Sequence, residues 1–330
     1  MPDRAKRHHQ VPRAYLNRFG ETVRVRWRDG KSYETSTLNV AVESGFYDVP
    51  DLDGTSSRVE SALAVVDGEA VEAMAQVDRS GALPIAGSEE RFTLAVFIAL
   101  QITRTTHHRE QVMFPERVAA WAGERMITEA LVAEYLERIH LGFPPRAREA
   151  EGAYLCVSKA LEDGAATPEF AIRMMLQLVE AIVPTLLALH WTLERDRREQ
   201  LITSDVPVVI WRKPSRMDEI EGVGIDNADE LRFPLDPRKQ LVLSRRKRPA
   251  SLDIEPHRAR RSNTDMVDGC HRFIVGRLDQ RSIVSGARLD SRPPAVRFNV
   301  APLVVTDSDG QKIRDSEVLH MFVPRRPLHR

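Results

Sequence analysis

Three residue combinations in this chain have the types and spacing to do chemistry: His8-His9 near the start, Gln101 with Arg104, and Ser204-Asp205. A histidine can act as a general base or a metal ligand near neutral pH. Adjacent histidines on one strand or helix point in different directions, so at most one of His8 and His9 faces a given site. The plainer reading has one bonded to backbone and the other in solvent. Gln101 and Arg104 stand at i and i+3 on one face of an otherwise apolar helix. A buried guanidinium is costly unless paired. Arg104 therefore either takes a phosphate or carboxylate through its planar fork, or clamps two helices through a carboxylate such as Glu60. We favour the clamp. Ser204-Asp205 lies in a tight turn closed by Pro207, where both side chains ordinarily bond turn amides. A carboxylate at a strand end is also a usual place for catalysis or metal binding. Brought together, a histidine, Glu60 and Asp205 would suit a hard or borderline metal; linear spacing does not test this.

Other polar groups are weaker candidates. His107-His108 close a helix, where cations suit the macrodipole, and with Arg104 and Arg109 they would extend an anion site. Asp265, Asp268 and His271 share helical spacing, a common accidental pattern. The run Arg245-Arg246-Lys247-Arg248, followed by Arg258, Arg260 and Arg261, could track a phosphate backbone. It has no interleaved aromatic ladder and no reading helix or zinc finger, so a solvated loop is the favoured reading. There is no GxxxxGK[ST], GxGxxG after a strand, HExxH or GxSxG, which sets aside P-loop, Rossmann, zincin and α/β-hydrolase readings.

These residues need elements to hold them. Residues 22–28 alternate apolar and polar, Asp29-Gly30 follows, and residues 31–35 complete a hairpin signal. Phe46-Tyr47 belongs to another short extended piece. From Ser57 the period becomes helical, with Glu60 at capping-box spacing, and the helix runs to about residue 79. A second, deeply buried helix opens at Ser88-Glu89-Glu90. Further helices are expected at 128–140, 146–162 and 167–199, the last kinked at Pro184. Strands follow around 201–203, 208–211, 231–237 and 240–244. Residues 245–262 read as an Arg-rich loop, 263–275 as a helix, and the remainder as a poorly patterned tail.

Several of these pieces, in order, resemble a bacterial family known as domain of unknown function 4238. Its opening His-His-aromatic-Val-Pro-x-x-Tyr-Leu-x-x-Phe matches His8 to Phe19, with Gln10 at the aromatic position. Its Phe-Tyr element and acidic helix position match Phe46-Tyr47 and Glu60. Its Gln-x-x-Arg-Thr matches Gln101 to Thr105, although Thr106 stands where the family places proline. Its Thr-Ser-Asp-Asn-Pro-Val turn matches Thr203 to Val208, with Val206 in place of Asn, and its Phe-Pro-Leu-Ser-Pro matches Phe233 to Pro237. An Asn-led segment with an Arg-aromatic-Ile step matches Asn263 to Ile274. The resemblance spans about residues 8–276 and implies a family and a fold; it implies no activity.

Composition is consistent with that picture. The chain has 330 residues, 42% hydrophobic and 29% charged, enough for one large domain or two ordinary ones. Cys156 and Cys270 cannot build a disulfide framework, and the start lacks a secretory leader. The longest apolar stretch, 170–193, carries Arg173, Glu180, Pro184 and His190, against a membrane span. The net charge of zero hides a pattern, +5 over residues 1–40 and +8 over 241–330 around an acidic middle. The basic ends could meet as one positive face, or be neutralised within the molecule. Arg outnumbers Lys 41 to 7.

The expectation is therefore a cytoplasmic α+β protein. It has a central α-helical body over about 56–200, an N-terminal β-hairpin and a C-terminal mainly β region over about 201–244. Residues 1–276 are expected to form one integrated domain and 277–330 a partly extended C-terminal extension. His8, His9, Glu60 and Asp205 are the candidate catalytic residues and Gln101 and Arg104 the candidate anion-binding pair. Two functions compete. One is hydrolysis of a phosphate-containing substrate, nucleic acid included; the other is non-catalytic binding, with the basic run Arg245 to Arg248 meeting an anionic partner. Cofactor, metal and oligomeric state are left open.

Overall fold

A computed structural model describes residues 7–44, 55–140, 142–164, 168–215, 222–292, 294–306 and 312–324. Side chains at 7–9, 43–44, 55–60, 168–169, 171, 301–306 and 312–316 lie outside the described set. The chain divides into two compact units. The first comprises Met1–His108, Ile172–Arg212 and Gly224–Pro293; the second comprises Arg109–Ala171, Lys213–Val223 and Pro294–Arg330.

In the first unit, β1 (Arg7–His9) pairs antiparallel with β4 (Val42–Ser44). Helix α1 (Arg13–Leu16) follows Pro12, and the expected hairpin forms from β2 (Thr22–Trp27) and β3 (Ser32–Ser36). Its turn needs a backbone only glycine adopts easily, and Gly30 supplies φ +90°. The Asp29 carboxylate accepts the Lys31 amide at 3.0 Å. Helices α2 (Thr55–Ser80) and α3 (Glu89–Thr103) come next. Ser88 caps α3, its hydroxyl accepting the Arg91 amide at 3.2 Å. Residues Leu94, Ala95, Phe97, Ile98, Ala99 and Leu100 are all buried, so α3 is an interior helix, apolar almost all round.

Helix α8 (Pro168–Ala188) carries Pro184 inside it. It ends eleven residues before the expected 199, and the chain turns into strand β5 (His190–Arg195). The Trp191 indole donates to the Leu186 carbonyl at 2.9 Å, satisfying one acceptor that the helix end leaves open. The chain then builds β6 (Thr203–Ser204), β7 (Val209–Trp211), β8 (Glu230–Asp236) and β9 (Lys239–Ser244). Residues 245–262 are not all loop: β10 (Ser251–Asp253) and the first half of α9 (Pro256–Gly269) lie there. Pro256 stands at the start of α9, where its missing N–H costs nothing. The helix stops at Gly269, and β11 (Phe273–Gly276) follows where helix was expected.

Strand order is β10-β5-β9-β8-β7 in one sheet and β3-β2-β11-β6 in another. Register explains the first sheet's two faces. Leu193, Leu241 and Phe233 fall in one row and join the core with α2, α3 and α8. The next row, Glu194 and Gln240, looks the other way. Gln240 donates to Glu194 at 2.6 Å and to Ser262 of α9 at 3.0 Å, so α9 lies over a polar sheet face.

The second unit contains α5 (Phe114–Ala122), α6 (Glu129–Ile139) and α7 (Ala147–Glu162) with the hairpin β12 (Arg297–Thr306) and β13 (Lys312–Phe322). This hairpin corrects the poorly patterned tail expected there. Gly152 of α7 lets the strands approach, since a Cβ there would stand 2.7 Å from Leu319. The whole is α+β. Among the described residues, no helix is long and apolar enough to cross a membrane.

Candidate polar site

Strand pairing fixes the backbone at His8 and His9, opposite Glu43 and Val42. The side chains of His8, His9 and Glu60 lie outside the described residues, as does the whole of Phe46-Tyr47. The next residue, Gln10, is buried. Its side-chain oxygen accepts from Arg272 Nη2 at 2.7 Å and from the Thr106 hydroxyl at 3.4 Å. Thus the N-terminal segment, the start of α4 (Thr106–Val112) and the residue before β11 meet at one glutamine.

Arg104 stands at the C-cap of α3 and is 2% exposed. It reaches α2, where Nη1 and Nη2 donate to the two carboxylate oxygens of Asp67 at 3.2 and 2.8 Å. Gln101 turns its side-chain oxygen to the same guanidinium and accepts from Nε at 3.0 Å. This is a helix-to-helix clamp, and its carboxylate is Asp67, about two turns along from Glu60. An arginine held this way is bidentate and oriented.

Asp205 is also buried and also closed. One carboxylate oxygen accepts the His271 amide at 2.9 Å and the other accepts the Arg272 amide at 2.7 Å. Arg272 Nε lies 3.7 Å away. Burial pushes the Asp205 carboxyl above its ordinary range, while Arg272 and the two amides pull it back. Ser204 bonds within its own turn, donating to the Val206 carbonyl and accepting the Val206 amide. The turn therefore serves as a fastening for the segment that enters β11.

Three histidines that sequence spacing offered only as weaker candidates lie beside it. The rings of His107 and His271 meet edge to face with centroids 4.9 Å apart. Among the described residues His108 Nε2 is enclosed with no hydrogen-bond partner, and burial lowers that imidazole to about 4. It is neutral at pH 7. Behind His271, Arg28 donates to the carbonyls of Cys270, His271 and Asp290. The Cys270 carbonyl lies at the C-terminal end of α9, where a cation is favoured. His271 had been grouped with Asp265 and Asp268 by helical spacing, but α9 ends before it. Asp265 instead holds Arg232 at 2.6 Å. No signal in the linear sequence joins His107 to His271.

The basic run is split in use. Arg248 and Arg258 both grip Glu194 and Glu230, at 3.4 and 3.0 Å for Arg248 and 3.0 and 2.9 Å for Arg258. These shared carboxylates hold the run against the first turn of α9. Arg245 donates to the Asp226 carbonyl at 2.7 Å. Arg246, Lys247, Arg260 and Arg261 are exposed. Among the described residues, no group of three or more His, Cys, Asp or Glu side chains is arranged to hold a metal ion.

The model of the family described as protein of unknown function (DUF4238) matches residues 7–280. That span includes Gln10, Arg104, Asp205, His271 and Arg272 and stops short of β12. Comparison with curated proteins gave no match, and comparison with solved structures gave none either.

Proposed function

This chain belongs to the DUF4238 family of proteins of unknown function, and we propose that it is a non-catalytic binding protein for an anionic partner, nucleic acid foremost. The contact surface is the basic run with the outward face of α9. One observation carries the reading: Gln101, Arg104 and Asp205 are each buried and held by protein groups, whereas Arg246, Lys247, Arg260 and Arg261 stand in solvent. His257, Arg260, Arg261 and Thr264 form the exposed stripe of α9 at helical spacing. The carboxylate pair that grips Arg248 and Arg258 brings that stripe beside the run. Four exposed cations beside one another suit a phosphate backbone, which is bound through charge neutralisation without base reading. The same reading places the protein in the bacterial cytoplasm, where such polyanions abound.

Fluorescence anisotropy with labelled duplex and single-stranded DNA tests this. The wild type should bind both with strong salt dependence. A variant with Arg246, Lys247, Arg260 and Arg261 all changed to Ala should bind far more weakly. Equal binding by the two proteins sinks the proposal.

A second reading keeps hydrolysis of a phosphate ester, and the His107–His271 contact beside Arg272 is what favours it. There an imidazole would activate water and Arg272 would stabilise the developing charge. Cleavage of nucleic acid by the wild type that disappears in His271→Ala, with DNA binding retained, would replace the first reading with this one.

A further inference from the structure

The cavity between the start of α7 and the C-terminal hairpin, all within the second unit, carries an unbalanced charge. Its volume is about 50 Å³, and Arg146, Arg148, Glu149, Arg297, Phe298 and Phe322 line it. A water needs roughly 10–15 Å³ on that measure, so the space suits a small polyatomic ion. Glu149 is 3% exposed and bonds Arg297 twice, Oε1 to Nε at 2.7 Å and Oε2 to Nη2 at 2.8 Å. That pair is closed. The remaining lining charges are both positive. Arg148 holds Glu317 at 3.0 Å, but both partners are more than half exposed, and such surface pairs exchange readily. The Arg146 guanidinium has no hydrogen-bond or ion-pair partner among the described residues, and the residue is exposed at the rim.

We propose that this cavity binds a phosphate group, held by Arg146 and Arg148 with Arg297 behind them. With Arg148 released from Glu317, it and Arg146 supply two guanidinium charges, which match the charge of about −1.5 to −2 on a phosphate monoester or inorganic phosphate at pH 7. Planar forks suit its oxygens, whereas one carboxylate would leave a positive charge uncompensated. The hairpin that supplies Arg297, Phe298 and Phe322 lies beyond the family match, whereas Arg146, Arg148 and Glu149 lie within it. It does not depend on the polyanion surface of the first unit.

The test is isothermal titration with inorganic phosphate, and in parallel with a nucleoside monophosphate, at constant ionic strength. Variants are Arg146→Ala and Arg146→Ala with Arg148→Ala. Both positions are solvent-accessible, so folding should survive, and circular dichroism checks this. Arg297→Ala is avoided because it would strand the buried Glu149. The expected result is saturable binding by the wild type, about tenfold weaker in the single variant, and weaker again in the double. Tighter binding of the monophosphate supports a phosphate carried on a larger molecule, and equal binding supports free phosphate. No saturable wild-type binding of either ligand, or an unchanged dissociation constant in the double variant, overturns the proposal. The quadruple variant of Arg246, Lys247, Arg260 and Arg261 should bind phosphate like the wild type, which separates this site from the surface proposed above.

Discussion

Arg104 and Asp67 face each other between α3 and α2 through two nitrogen–oxygen contacts, 3.2 and 2.8 Å long. Arg104 is 2% exposed, so removing Asp67 takes a bidentate carboxylate away from a buried cation. Asp67→Ala should cost about 3–5 kcal/mol in urea unfolding. Adding Arg104→Met should recover much of that loss, because the buried cation is then gone. A shift under about 1 kcal/mol for Asp67→Ala would show that the clamp is dispensable.

Tyr15 ties three distant segments with one hydroxyl. It contacts the Thr203 hydroxyl at 2.9 Å and donates to the Pro234 carbonyl at 2.8 Å. Its ring stacks on Phe233 with centroids 5.1 Å apart. Tyr15→Phe keeps the ring and strands the two polar groups, so it should destabilise by about 1–3 kcal/mol. The loss should show as a lower urea midpoint with an unchanged slope.

The His108 imidazole is held at about 4, against an ordinary 6.5, because burial disfavours its charged form. Its folded-state pKa is depressed, so its contribution is complete above pH 6.5 and is lost as pH falls toward 4. Between pH 7 and pH 5 this group alone should remove roughly 2 kcal/mol of stability. His108→Leu should flatten the unfolding free energy over that window by the same amount. An identical pH profile in variant and wild type would show that His108 is not the titrating group.

For the polyanion surface the sharpest readout is salt. Each phosphate neutralised on duplex DNA steepens the dependence of binding on salt by about 0.9 in a log–log plot. Replacing Arg246, Lys247, Arg260 and Arg261 should therefore flatten the slope by about 3–4 between 50 and 200 mM salt. Weaker binding with the slope intact would point to damage elsewhere.

Local chemistry made much of the fold legible. Asp29-Gly30 announced the β2–β3 hairpin, and Ser88 before Glu89-Glu90 announced α3. The periodicities of α6 and α7 located both helices within a residue of their observed ends. Strand β5 was hidden because the apolar spacing of α8 runs on through Trp191 and Leu193, and only sheet pairing breaks it. The helix α9 was hidden because Pro256 and the arginines read as loop, although proline is at home in a first helical turn. Alternation in Arg297-Phe298-Asn299-Val300 did mark β12, but the prolines before it obscured the signal. For the site, polar residues on an apolar helix identified Gln101 and Arg104 as needing partners, and the turn before Pro207 marked Asp205. Which partners they found was set by packing, and Asp67 or the His271 amide carries no mark of it in the chain.

The pairing of Val25 with Val275 has a consequence for how the protein is made. The central strand of the β3-β2-β11-β6 sheet is synthesised about 250 residues after its neighbour. At the usual ~5–20 residues per second, β2 and β3 wait on the ribosome for tens of seconds before β11 can reach them. Throughout that wait the β2 edge offers unpaired backbone and the Val23 and Val25 side chains to any passing strand. The first unit thus closes late, only once β11 has emerged, and its yield in the cell should depend more on chaperone supply than its equilibrium stability would suggest.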